Sequence, residues 1–241
     1  ITAPKMGEDL HSISSTPLRN DMESLVSGTD STLFYVLRNN PSIVSSTFTG
    51  TNARTLFSSS FNNWRLTRAG SGVMAYTKAS AQAPGYAYSI SGGALTKLLG
   101  PFNGLTLVSN PRGTKILYSY TENNQTKLLT KEISKSATSE ILPVSLAEKC
   151  IWSNKNESIF YCGTPVNGLS GAEPDGWYLG RTHFTDYIWK FDTASEISQL
   201  VIEPKAEFNL DLDVFEPMLS PNEDYLVFIN KRDLTLWAVK L

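Results

Sequence analysis

A small hydroxyl residue, then a polar turn, then an apolar triplet that usually holds an aromatic ring: this phrase recurs along the whole chain. It reads Ser27-Gly-Thr-Asp-Ser-Thr-Leu33-Phe34-Tyr35, then Thr67 leading to Val73-Met74-Ala75-Tyr76, then Ser109 leading to Ile116-Leu117-Tyr118. It returns as Ser153 leading to Ile159-Phe160-Tyr161 and as Ser220 leading to Leu226-Val227-Phe228. The hydroxyl anchors at 27, 67, 109, 153 and 220 are separated by 40, 42, 44 and 67 positions. The segments between them are short, rich in β-branched and aromatic residues, and bounded by Gly, Pro, Asn and Ser, which is strand-and-turn chemistry. No run of helical periodicity longer than about ten residues interrupts them.

An all-β period of about 40 to 50 residues is the signature of a propeller blade. The expected fold is therefore an all-β β-propeller of five blades, each with four antiparallel strands, in one domain over residues 1–241. The blades fall at about 15–60, 61–100, 101–143, 144–203 and 204–241. The last has only three strands, near Phe215–Leu219, Tyr225–Asn230 and Leu234–Val239. An open edge strand is a pairing hazard, so residues near Ile1 to Ile13 are expected to supply the outer strand that closes the ring. The alternative is that the chain is the C-terminal part of a larger propeller.

Function classes narrow by subtraction. With 41% hydrophobic residues, 18% charged residues and a net charge of -2, the chain lacks the clustered basic surface that nucleic acid requires. Its longest apolar runs, such as Leu226-Val-Phe-Ile229, are too short to span a membrane. The first residue is Ile1 rather than methionine, which reads as a trimmed or processed chain with room for an upstream anchor or signal. His11 and His183 are the only histidines, and no nucleophile-elbow, phosphate-loop, dinucleotide or zinc-protease pattern occurs. No cofactor and no metal site is expected.

Two local features carry more. The hairpin turn of the fourth repeat is centred near Asn156, so Cys150 and Cys162 lie equally far from it on opposite strands. Directly opposed residues of an antiparallel pair approach to disulfide range; two small buried hydrophobes would fit the same positions. A bond between them would argue for an oxidising compartment. The step from Ser153 to Ser220 is also about 23 residues longer than the one before, and the excess lies between the second and third strands of that blade. It runs from Gly163 to Phe184, on the face that carries the blade connections, and its second half holds Trp177, Tyr178, Arg181, His183 and Phe184. These residue types build recognition hot spots; Trp177 and Phe184 could equally fold back as a plug.

Catalysis would have to come from carboxylates at the starts of the inner strands. Glu23, Glu148 and Glu216 occupy such positions, and two carboxylates at the right separation suffice for glycoside hydrolysis. Acids at a water-filled channel are also simply polar strand ends. Glu207, Asp211 and Asp213, balanced only by Lys205, match no calcium loop and read as a solvated acidic connection.

The phrases Leu219-Ser-Pro-Asn-Glu-Asp-Tyr-Leu-Val-Phe-Ile229 and Val108-Ser-Asn-Pro-Arg-Gly-Thr-Lys-Ile-Leu-Tyr118 resemble the repeat of WD40-like, TolB-type β-propellers. Glu148-Lys-Cys-Ile-Trp-Ser153, Asp186-Tyr-Ile-Trp-Lys-Phe-Asp192 and Leu234-Thr-Leu-Trp237 are similar to a group of uncharacterised bacterial propeller proteins with an N-terminal membrane anchor. The resemblance implies an extracytoplasmic, membrane-tethered propeller that binds a protein or glycan. The Gly-His and Trp-Asp dipeptides of true WD40 repeats are missing, so their intracellular scaffold role is not implied.

Overall fold

The computed structural model describes residues 18–170 and 172–241. The expected closing strand near Ile1 to Ile13, and His11, lie outside the described residues. No helix among the described residues is long and apolar enough to cross a membrane.

The chain forms successive antiparallel sheets. The first holds β1 (Met22–Ser27), β2 (Thr32–Leu37), β3 (Ser42–Thr47) and β4 (Arg54–Ser58), hydrogen-bonded in that order. The next leaf holds β5 (Trp64–Ala69), β6 (Gly72–Thr77) and β7 (Pro84–Ser91), and the third holds β9 (Lys115–Glu122), β10 (Gln125–Glu132) and β11 (Thr138–Glu140). The two are fused by β8 (Ala94–Ser109), a 16-residue strand that pairs with β7 through its first half and with β9 through its second. The blade boundary expected between residues 100 and 101 therefore falls inside one strand. Gly100 explains the continuity: its φ of +107° lets the strand bend where an added Cβ would lie 2.5 Å from the Gly85 carbonyl oxygen.

The fourth sheet orders β12 (Cys150–Trp152), β13 (Ile159–Pro165), β14 (Asp186–Asp192) and β15 (Ile197–Ile202). Among the described residues the last has three strands, β16 (Val214–Leu219), β17 (Tyr225–Asn230) and β18 (Thr235–Lys240), with β18 at the edge. Two short helices, α1 (Asp175–Tyr178) and α2 (Pro204–Phe208), sit in connections.

The innermost strands β1, β5, β8, β12 and β16 touch one another in chain order. Sheets therefore pack face to face, and the core lies between them. Phe34, Val36 and Ile43 of the first sheet meet Trp64, Leu66 and Val73 of the second. Tyr161 and Ile188 of the fourth meet Leu226, Phe228 and Val239 of the last.

The recurring hydroxyls tie neighbouring sheets together. Thr67 Oγ1 accepts the amide of Ser109 at 3.0 Å, joining one anchor to the next. Ser153 Oγ donates to Glu223 Oε2 at 2.6 Å, and the other Glu223 oxygen accepts the Asn154 amide at 2.6 Å. In β1 a bulge places Ser24 at a φ of +46°, and its hydroxyl accepts the Leu66 amide at 2.8 Å. A backbone hydrogen bond supplied across the seam satisfies a donor that the inner strand's own ladder leaves unpaired. The repeated residue type is thus a sheet-to-sheet fastener as well as a turn former.

Candidate functional site

The site lies on the face where the inner strands begin, and the long connection between β13 and β14 builds it. That connection does not hang free. Asp175 Oδ2 accepts the Ala81 amide at 2.5 Å and the Ser80 hydroxyl at 3.2 Å, reaching the second sheet. The Glu173 carbonyl accepts the Thr121 hydroxyl at 3.3 Å, reaching the third. Glu173 itself is buried, and its carboxylate accepts the Trp177 amide at 2.8 Å, holding the turn that opens α1.

Trp177 is 0% exposed and Phe184 is buried with it against Leu146 and Phe215. The indole Nε1 donates to Asp213 at 3.0 Å. The expectation that these two side chains present themselves to a partner is corrected: a partner cannot reach them, because they fill the space under the connection. Tyr178 is half-buried, and its phenol donates to Glu148 Oε2 at 2.7 Å. Leu179, 64% exposed, stands with Arg181 and His183 on the outer side of the same turn.

Beneath Trp177 lies an ionic centre. A single 3-10 turn, Ala147–Lys149, leads directly into β12. The Ala147 amide is fixed to Thr106 Oγ1 at 3.0 Å and lies 3.2 Å from Ser119 Oγ, so the turn is clamped to the third sheet. Lys149 then points into the protein with 0% exposure, 2.5 Å from Asp213 Oδ1 and 2.8 Å from Asp186 Oδ2, both equally buried. Its third donor reaches the Val214 carbonyl at 3.1 Å. The ammonium also sits 4.9 Å from the ring centres of Trp177 and Phe184. An isolated charge at such depth is prohibitively unfavourable, and only this full set of partners makes it tolerable.

From the sequence, Asp213 is expected in a solvated acidic connection. It is instead fully buried and accepts from Lys149, the Trp177 indole and the Phe184 amide. Asp211 stays at the surface, paired with Lys205 at 2.8 Å. Asp186 Oδ2 accepts the Val214 amide at 2.7 Å, while its Oδ1 has no partner among the described residues. Burial pushes the Asp186 carboxyl up to about 6; the Lys149 ammonium works against that rise and the Asp213 charge adds to it. Gly163 makes room for this packing, since an added Cβ would lie 2.5 Å from Val214 and 3.0 Å from Asp186 Oδ2. A glycine inside a strand marks such a close approach, and it was the one sequence signal for the buried centre.

The three carboxylates considered for glycoside chemistry have separate commitments. Glu23 accepts Arg38 Nε at 2.7 Å. Glu148 is held by the phenols of Tyr76 at 2.8 Å and Tyr178 at 2.7 Å. Burial, with the Glu148 charge beside them, pushes both phenols well above their ordinary range. Glu216 takes a left-handed φ of +49° in the bulge of β16, which turns it outward to solvent. Among the described residues, none of the three shares a hydrogen-bond partner with another. Cys150 and Cys162 occupy directly opposed positions on β12 and β13, and their sulfurs are bonded.

No protein-family model matches the chain, and no curated protein matches it. Solved structures do. TolB from Acinetobacter baumannii superposes with a TM-score of 0.62 at 13% identity over 91% of this chain, which spans 51% of that one. A chain of a nidogen/laminin complex gives 0.61 at 10% identity, covering 91% of this chain and 76% of that one. A chain of a mitotic checkpoint complex gives 0.55 at 12% identity, covering 91% and 62%. These likenesses establish a β-propeller fold, which by itself does not assign a function.

Proposed function

We propose that this chain is a non-catalytic interaction module: a β-propeller working outside the cytoplasm that binds a protein through the face bearing the β13–β14 connection. The observation that carries the reading is the mounting of that connection. Asp175, Glu173 and Trp177 anchor it from below to the second, third and last sheets in turn, while Leu179, Arg181 and His183 remain outward. A loop fixed in this way loses little conformational freedom on association, which is what a binding surface gains from preorganisation. Two of the structural neighbours come from protein complexes, in keeping with a protein partner.

The Cys150–Cys162 bond supports an oxidising compartment, and TolB among the neighbours is in keeping with an extracytoplasmic place. We also propose that residues 1–241 form one five-bladed domain, closed by the N-terminal segment adding beside β18, and tethered to a membrane by an upstream anchor. Deleting residues 1–13 is then expected to lower the melting temperature; an unchanged melt would rule out that closure.

The functional test compares capture of proteins from an extracytoplasmic extract by the wild type and by L179D/R181E, with thermal melts of both and a glycan array in parallel. The double variant should lose the captured protein while melting as the wild type does. Equal capture by both overturns the reading, and binding of glycans alone would replace the partner class. Release of reducing sugar that is abolished in E148Q would replace the module with an enzyme.

A further inference from the structure

On the same face, the ends of the first two sheets leave a cleft of about 320 Å³ lined by Glu23, Arg38, Trp64, Arg65 and Lys78 among others. A second hollow of about 460 Å³, lined by Phe57, Phe61, Tyr86 and Tyr88, shares Trp64 and Lys78 with it. The two hollows therefore adjoin at Trp64 and Lys78, one a cationic end and the other an aromatic end of the same groove region.

The cationic end is unbalanced. The cleft lining holds three basic side chains and one carboxylate, Glu23, which accepts Arg38 Nε at 2.7 Å; Glu148 lies beyond, held by the Tyr76 and Tyr178 phenols near Arg65. Among the described residues, neither Arg65 nor Lys78 has an ion-pair partner; the Lys78 ammonium lies 5.8 Å above the Tyr178 ring. A guanidinium presents five donors in a planar fork, and a carboxylate is the partner that satisfies them best. The aromatic end has a distinctive shape. Trp64 meets Phe57, Phe61 and Tyr88 at interplanar angles of 88°, 78° and 74°, and is itself 6% exposed. Rings packed edge to face leave no broad flat surface for a sugar ring to stack on, but they form the wall of a cup for one apolar side chain. The Trp64 indole N–H has no partner among the described residues, so that wall holds an unused donor.

We infer that this groove binds an acidic peptide segment, with carboxylates against Arg65, Lys78 and the free donors of Arg38, and a neighbouring apolar side chain seated beside Phe61. The inference rests on the protein-binding reading but uses a different surface from the Leu179 crest, so the two can fail separately.

The test is selection from a random dodecapeptide phage library on immobilised protein, followed by titration of the enriched peptides and of a uronate oligosaccharide. Enriched peptides should carry an excess of Asp and Glu next to an apolar residue. Their affinity should drop about tenfold or more in K78E, in R65S and in F61S, and also on raising salt from about 0.05 to about 0.5 M. L179D should leave this binding intact; if crest capture also persists in K78E, the two surfaces are independent. Lys78 and Phe61 are exposed, so those variants keep the result interpretable should R65S fold poorly. The inference is overturned by enrichment of neutral or basic peptides, by acidic peptides indifferent to K78E and F61S, by no enrichment over background, or by binding of the oligosaccharide alone.

Discussion

Lys149 Nζ and Asp213 Oδ1 lie 2.5 Å apart, 64 residues distant in the chain, with neither side chain exposed. The pair joins the 3-10 turn before β12 to the start of β16, and so couples the fourth sheet to the last. Removing the ammonium would leave Asp186 and Asp213 buried with no cation between them. K149M is expected to lower stability by about 3–5 kcal/mol, read from the urea midpoint. A loss under about 1 kcal/mol would show that the two sheets hold together without it.

Asp186 makes stability depend on pH in a definite direction. Its folded carboxyl ionises at about 6, whereas an unfolded Asp ionises near 4. Between those values the folded state binds a proton that the unfolded state has released, so this contribution is full below about pH 4 and lost as pH rises through about 6. The wild type should therefore resist urea better at about pH 5 than at about pH 7 by more than D186N does. Equal differences in the two proteins would assign the effect to other groups.

The bond between Cys150 and Cys162 closes a short loop, with a sequence separation of 12. Loops of that size are stabilised by about 3 kcal/mol when cross-linked. C150A/C162A should melt lower by the corresponding amount, and reductant should lower the melting temperature of the wild type but not of the double variant. A wild type indifferent to reductant would contradict the oxidised pair.

Trp177 and Leu179 are two residues apart and should separate cleanly. W177A empties a fully buried site and strips Asp213 of an indole donor, an expected cost of about 3–5 kcal/mol. L179D should change stability by less than about 0.5 kcal/mol, since Leu179 faces solvent. The readout is chemical denaturation of both variants. Similar losses would place Leu179 in the packing as well.

The antiparallel strands and the propeller-like fold were legible because turn chemistry and alternating apolar residues are local properties. Asn156 at the hairpin centre was enough to oppose Cys150 and Cys162. The buried centre was not legible, because it depends on which distant carboxylate an ammonium meets. Nothing near Asp213 shows that it lies under Trp177 rather than in water beside Asp211. The same holds for Glu148, whose phenolic partners come from β6 and α1, 72 and 30 residues away. Aromatic residues in a long connection suit a recognition crest and a plug equally well until depth is known. Here Trp177 is the plug, and Leu179 two residues on faces solvent.

The strand β8 begins at the outer edge of one sheet and ends at the inner edge of the next. Leaves joined only by loops can open one at a time, each at its own free energy. The second and third leaves cannot, because β5 through β11 hang on one hydrogen-bonded ladder whose spine is a single stretch of backbone. Their amides should exchange with solvent as one cooperative block, leaving any partial opening to begin in the leaves on either side.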